Sequence, residues 1–360
     1  MLNFLSILCT SMISFSLINN LSFSANQLIE KQLIERQDNE ISFDFSLIDN
    51  REGVYNYCPS VLVEEDTIGI FYCANTESYI IKDSIYYREL KEDYVPKEIL
   101  SPTENNWDSV HVCDPSVIEG NWIYNGLSYK YLMAYLGCNT LDNQKNQIGL
   151  AVSNKKDSDW IKIGNEPLIT HNYNSEKGKY FQWGVGQPSL INIGKGYVLL
   201  FYTEGTYSLT STKCALYNLS NLNDIKKLKI ITVSNKGLLK EDNISEDFLS
   251  NGDFALKDNI LYVVCDVHPF GNGILGNIPN IQKVYSMKID GFLLEQISNK
   301  EWNLEYEINE NQKNHNSGLV RNPYGYLYEK AVIETTSTEL DTFLNSLWTY
   351  RLKYINFENN

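Results

Sequence analysis

The chain has 360 residues, 43% of them hydrophobic and 12% aromatic, enough for a sizeable packed core. Its net charge of −15 excludes the basic face that nucleic acid or an anionic membrane surface requires. None of the cysteines forms a C-x-x-C pair, so a zinc site is not expected from spacing.

Residues 1–25 read as a signal peptide. Leu2 to Leu21 is apolar with Ser and Thr, and Ser22, Ser24 and Ala25 are small residues at a plausible cleavage point, although the first cation is Lys31. The expected location is secreted or extracytoplasmic, with no stable membrane association once the leader is gone. Residues 26–360 are then expected to form one domain. A polar stretch over 26–40 precedes Ile41–Leu47, which alternates with period two and predicts a strand that could close a sheet edge.

From residue 58 onward one phrase recurs. Cys58-Pro59-Ser60-Val61-Leu62 runs into Ile68–Tyr72. Asp114-Pro115-Ser116-Val117-Ile118 runs into Tyr131–Tyr135, and Gln187-Pro188-Ser189-Leu190-Ile191 into Val198–Tyr202. Weaker copies begin at Asp253-Phe254-Ala255-Leu256 and Ser317-Gly318-Leu319-Val320. Each copy is an apolar strand, a turn and a second apolar strand. Self-similarity of this kind signals a repeat array, and strand content makes the array a propeller. The predicted fold is therefore all-β, a five-bladed β-propeller with four-stranded antiparallel blades. The blades are placed near 54–100, 108–170, 180–235, 248–305 and 312–355. Asn139–Asn146 and Gly271–Asn280 are rich in turn formers and predict loops.

Six cysteines remain beyond the leader. Cys58 and Cys73 bracket the first strand pair, and Cys113 and Cys138 the second, so either pair can bridge; buried free thiols are the alternative.

In a propeller the innermost strands line one central channel, so equivalent repeat positions converge. The position before Pro-Ser holds Cys58, Asp114 and Gln187, then by this alignment Asp253 and about Asn316. The second strands end near Asn75, Gly137, Glu204 and Asp266, with His268 two residues on. The register thus gathers Asp114, Glu204, Asp253 and Asp266 as candidate catalytic carboxylates. Crowded carboxylates push one pKa up, which suits a general acid, and leave another ionised; hydrolysis of a glycosidic bond needs such a pair. The bland alternative is that each Asp caps a turn.

Trp107, Trp183, Tyr180, Phe181, Tyr202 and Tyr207 lie close in sequence to this lip and could stack on sugar rings. Trp183 leads, because it opens Trp183-Gly184-Val185-Gly186-Gln187, where glycines allow close backbone approach. Gln187, His268, His315 and Arg321 complete the expected substrate-binding set. Arg321 could orient a carboxylate or bind an acidic sugar. Strand alternation sets His111 on the face opposite Asp114, as a structural partner. No metal motif and no cofactor are read from the sequence, while a channel-bound metal ion stays open.

With these residues the chain resembles the five-bladed propeller glycoside hydrolases, families 43, 32 and 62 and the phosphorylases of family 130. Val112-Cys113-Asp114-Pro115-Ser116-Val117 is similar to the second-blade phrase whose Asp stabilises the transition state or tunes the acid, and that role would carry over to Asp114. Phe201-Tyr202-Thr203-Glu204-Gly205 is similar to a strand end in these families. The families' first-blade Asp is replaced here by Cys58, and the third-blade acid region reads Val185-Gly186-Gln187-Pro188 without a carboxylate. The resemblance implies a carbohydrate ligand and a glycosidase-like hydrolysis, with Glu204 as acid and Asp253 or Asp266 as base. A non-catalytic carbohydrate-binding propeller is the alternative. A phosphorylase is a third reading, with Arg321 its one attractive phosphate ligand.

Overall fold

The computed structural model describes residues 51–65, 67–91, 94–141, 144–170, 183–206, 209–268, 281–290, 294–308, 313–337 and 347–358. The expected leader, the strand at 41–47, the loop at 271–280 and Tyr180, Phe181 and Tyr207 lie outside them. Among the described residues no helix is long and apolar enough to cross a membrane.

Apolar residues at alternate positions, separated by turn formers, produce twenty strands among the described residues. The first unit holds β1 (Asn56–Glu64), β2 (Thr67–Asn75), β3 (Asp83–Glu89) and β4 (Lys97–Leu100). The second holds β5 (His111–Tyr124), β6 (Leu127–Cys138), β7 (Gln147–Ser153) and β8 (Ile161–Lys162). The third holds β9 (Gly184–Gly194), β10 (Tyr197–Thr206), β11 (Leu209–Asn218) and β12 (Lys226–Thr232). The fourth holds β13 (Asp253–Lys257), β14 (Ile260–Asp266), β15 (Gln282–Lys288) and β16 (Asn303–Ile308). The last holds β17 (Lys313–Asn314), β18 (Gly318–Arg321), β19 (Leu327–Ser337) and β20 (Arg351–Asn356). Neighbouring strands within each unit pair antiparallel, and β1 pairs parallel with β18, which merges the first and last units into one sheet.

Because side chains alternate across a strand, each unit is apolar on both faces, and the core divides into layers between units. Leu62 and Phe71 pack on Val117 and Met133. Ile118 and Leu132 pack on Leu190 and Leu200. Phe201 stacks on Phe254 with ring centroids 4.0 Å apart. Ala255 and Val264 pack on Leu319 and Val332, and Val320 and Ile333 return to Val61 and Ile70. The inner strands β1, β5, β9, β13 and β18 touch in this cyclic order. This is the propeller arrangement expected from the repeat.

The recurrent serine explains the phrase. Ser60 Oγ accepts from the Val117 amide, Ser116 Oγ from Leu190 and Ser189 Oγ from Phe254. Each hydroxyl thus clasps the next unit's inner strand. Asp253 continues the series, its Oδ2 accepting from the Leu319 amide at 2.8 Å. The alignment of the fourth copy is corrected accordingly. Asp253 holds the serine position, and Asn251-Gly252 stands where the other units have X-Pro. In the fifth copy the serine position is Gly318, whose added Cβ would lie 2.1 Å from the Pro59 carbonyl oxygen.

Candidate active site

The five residues before the Pro position are Cys58, Asp114, Gln187, Asn251 and Asn316. All five have positive φ, between 45° and 52°. This left-handed turn costs a non-glycine residue about 1–2 kcal/mol, least for Asn and Asp, and it produces the register shifts beside Ser60, Ser116 and Ser189. The five residues line one small cavity of about 30 Å³. The same unusual backbone in every unit sets the five side chains around a common mouth.

Asp114 is buried there. Its Oδ2 accepts from the Gln187 amide at 3.3 Å, and its own amide approaches Cys73 Sγ at 3.2 Å. Burial pushes its carboxyl above the usual range, against the opposing effects of Cys58, the Gln187 amide and the His315 charge. Gly186 makes room for it: an added Cβ would meet Leu136 at 2.6 Å and the Asp114 oxygen at 3.8 Å.

Opposite chemistry is found at His315, one residue before Asn316. Its Nδ1 lies 2.6 Å from Asp266 Oδ2, and its side chain keeps 19% of its exposure. Among the described residues Nε2 has no hydrogen-bond partner. Burial alone would lower the imidazole pKa, but the Asp266 carboxylate and then Asp114 raise it above the ordinary value. Asp266 itself accepts from Asn251 Nδ2, Gln282 Nε2 and the Asn316 amide. Burial pushes its pKa up, yet His315 and these donors outweigh that and hold it low. Asp266 is therefore a fixed anion that orients and charges His315, and Asp114 and His315 each lower the cost of ionising the other.

The remaining expected residues are placed as follows. Asp253 lines the same cavity, 3.1 Å from Arg321. Arg321 is fully buried and also donates to Ser60, Ser116 and Ser189 hydroxyls and to the Leu190 and Phe254 carbonyls. The carboxylate it orients is internal, and a phosphate or acidic sugar has no access to the buried guanidinium. Glu204 is one residue out of register. Phe71, Ala134, Phe201 and Val264 face the serine positions, so the residues two further on are Cys73, Leu136, Thr203 and Asp266. Thr203 looks to the mouth, where its hydroxyl accepts from the Asn251 amide at 3.2 Å. Glu204 points to the opposite face of β10 by alternation.

His268 is held by Asp247 and Ser250. Gln187 lines the cavity, and Trp183 lies at the start of β9, 37% exposed. Trp107 stacks on Tyr135 and Tyr202 is buried in the core, so neither is at the mouth. His111 is buried, its Nδ1 2.8 Å from Asp83 Oδ2.

The cysteines pair between units rather than within them. Cys73 near the end of β2 bonds Cys113 near the start of β5, while Cys58, Cys138, Cys214 and Cys265 are buried outside any disulfide. Sulfurs of Cys58 and Cys113 and an Asp114 oxygen lie within 4.8 Å of one another, but the disulfide occupies one of those sulfurs.

No family model matches the sequence, and no curated protein is similar to it in sequence. Solved structures are similar in fold. A family 117 glycoside hydrolase of the marine bacterium Zobellia galactanivorans matches at TM-score 0.51 and 12% identity, over 89% of this chain and 88% of its own. A thermostable family-43 glycoside hydrolase matches at 0.53 and 14%, over 86% and 93%. An α-L-arabinofuranosidase of Lactobacillus brevis matches at 0.56 and 10%, over 84% and 90%. At such identities the likeness establishes the propeller glycoside hydrolase fold, not an activity.

Proposed function

We propose that the protein hydrolyses a glycosidic bond of an oligo- or polysaccharide at the mouth of its channel. The observation that carries this reading is a buried Asp114 in a ring of left-handed backbone, with the His315–Asp266 pair, 2.6 Å apart, adjoining Asn316 of the same ring. His315, kept protonated by Asp266, is the proton donor to the leaving oxygen through Nε2. Ionised Asp114 faces the anomeric carbon, either activating water or stabilising the oxocarbenium-like state. Asp266 is a positioning residue, and Asn251, Gln187 and Asn316 supply polar contacts for hydroxyls. Glu204 drops out of the acid–base set on grounds of register, and Asp253 because its carboxylate is held by Arg321, the Ser189 hydroxyl and the Leu319 amide.

The small cavity and the Cys58 side chain at the first-unit position favour a second reading, a sugar-binding propeller without turnover. A panel of aryl glycosides and glycans, assayed both for released sugar and for saturable binding, separates the two. Turnover on any member supports hydrolysis. Saturable binding without turnover supports the binder, and neither overturns both.

A further inference from the structure

Beside the mouth, a second set of side chains has the geometry of an activated nucleophile. His268 Nδ1 lies 2.8 Å from Asp247 Oδ1, and His268 Nε2 lies 3.3 Å from Ser250 Oγ. The His268 backbone amide donates to the other Asp247 oxygen at 2.9 Å, so one carboxylate holds both the ring and the chain of the same residue. The Phe248 amide adds a third bond to Asp247 at 2.9 Å, and the Phe248 ring stacks on the imidazole with centroids 3.9 Å apart.

These contacts decide the tautomer. An ionised carboxylate only accepts, so Nδ1 carries the proton. With the ring uncharged, Nε2 offers a lone pair to which the Ser250 hydroxyl, 3.3 Å away, donates. Nucleophile, base and orienting carboxylate stand in the order that activates serine on unrelated folds, where the arrangement is recognised by geometry.

Access to the set is through the imidazole, since His268 keeps 22% of its side-chain exposure while Ser250 is buried. Asp247 and Phe248 line a cavity of about 780 Å³, and Asn251, next to Ser250 in the chain, lines the mouth. None of the three residues takes part in the chemistry assigned to Asp114 and His315.

We propose that Ser250, His268 and Asp247 form an acyl-transfer site that cleaves a carboxylic ester. That the ester is carried on a sugar rests on the proposed glycoside reading; the ester chemistry does not. Ser250 Oγ bonds to the acyl carbon as its proton moves to His268 Nε2. The bond from that carbon to the alcohol oxygen breaks, and the alcohol leaves with the proton. Water, deprotonated by the same nitrogen, then releases the carboxylic acid and restores Ser250. Asp247 acts through His268, as a positioning residue.

The test uses a fluorophosphonate, which forms a stable Ser Oγ–P bond with loss of fluoride, on the full chain, with the modified peptide identified by mass spectrometry. Wild-type protein is expected to carry the adduct on Ser250, and urea-denatured protein none. His268→Gln should slow labelling by about 100-fold or more, the range lost with a general base. Asp247→Asn should lower the maximal labelling rate without altering the reversible affinity for the probe, a split that a mere loss of packing would not give. Hydrolysis of p-nitrophenyl acetate should fall in parallel. No adduct on Ser250 in folded protein, or an adduct formed equally fast in His268→Gln, overturns the proposal. Because the readout requires no glycoside turnover, either reading can fail while the other stands.

Discussion

Arg321→Met removes the cation from the axis of the molecule while keeping an unbranched side chain in place. In the native protein the guanidinium is fully buried and reaches Asp253, three serine hydroxyls and two carbonyls. Every repeat serine therefore has one bond to the next inner strand and one to the same arginine. Removing one partner of a buried ion pair costs about 3–5 kcal/mol. We expect the lower half of that range, since Asp253 keeps the Ser189 hydroxyl at 2.7 Å and the Leu319 amide at 2.8 Å. Asp253→Asn alone should also destabilise, because it leaves the guanidinium without its counter-charge. The double variant should cost clearly less than the sum, since removing both charges of a buried pair together is often nearly neutral. Chemical denaturation followed by tryptophan fluorescence reads all three. A loss below about 1 kcal/mol for Arg321→Met, or strict additivity in the double variant, would refute the role of this pair as the axial clasp.

Other expectations follow from the same contacts. Burial, then Asp266, set the His315 pKa, with a net rise, so activity should persist above the usual histidine range near pH 6.5 and fall as pH rises through the higher value. Asp266→Asn removes the cause, and the alkaline limb of the pH–rate profile should move to lower pH; an unmoved limb would contradict the assignment. In stability the raised His315 pKa acts the same way, its contribution being complete below the ordinary value and lost as pH climbs through the folded one. Gly318→Ala would place a Cβ 2.1 Å from the Pro59 carbonyl oxygen, a backbone atom that cannot swing aside. It should open the parallel β1–β18 joint, with a loss above about 2 kcal/mol and faster hydrogen exchange in both strands. Reducing Cys73–Cys113, which are 40 residues apart, should cost at most about 4 kcal/mol of chain entropy, seen as a lower denaturation midpoint in a thiol reductant.

The repeat was legible because Pro-Ser follows a polar or sulfur residue three times, and the fold followed from it. The fourth copy was misaligned because it lacks Pro-Ser. Asn251-Gly252, both tolerant of left-handed backbone, is the signal of that position in the sequence. Glu204 illustrates a different failure. A one-residue error in register turns a side chain to the other face of a strand, and only the pairing of Phe201 with Ser189 fixes the register. Asp266 and His315 were visible as separate candidates, but their pairing joins positions on different units, which spacing along the chain does not encode. The cysteine pairing is hidden for the same reason: Cys73 and Cys113 belong to adjacent units, not to one strand pair. The Ser250–His268–Asp247 set also escaped, since it joins a linker to the end of β14.

The most direct test of the central claim is the turnover of Asp114→Asn and His315→Asn on whichever glycoside the wild-type protein cleaves, with far-UV circular dichroism to show that both remain folded. Each is predicted to lose about 10²–10⁴-fold in kcat, while Glu204→Gln stays near wild type. Folded Asp114→Asn or His315→Asn with undiminished turnover would contradict the account.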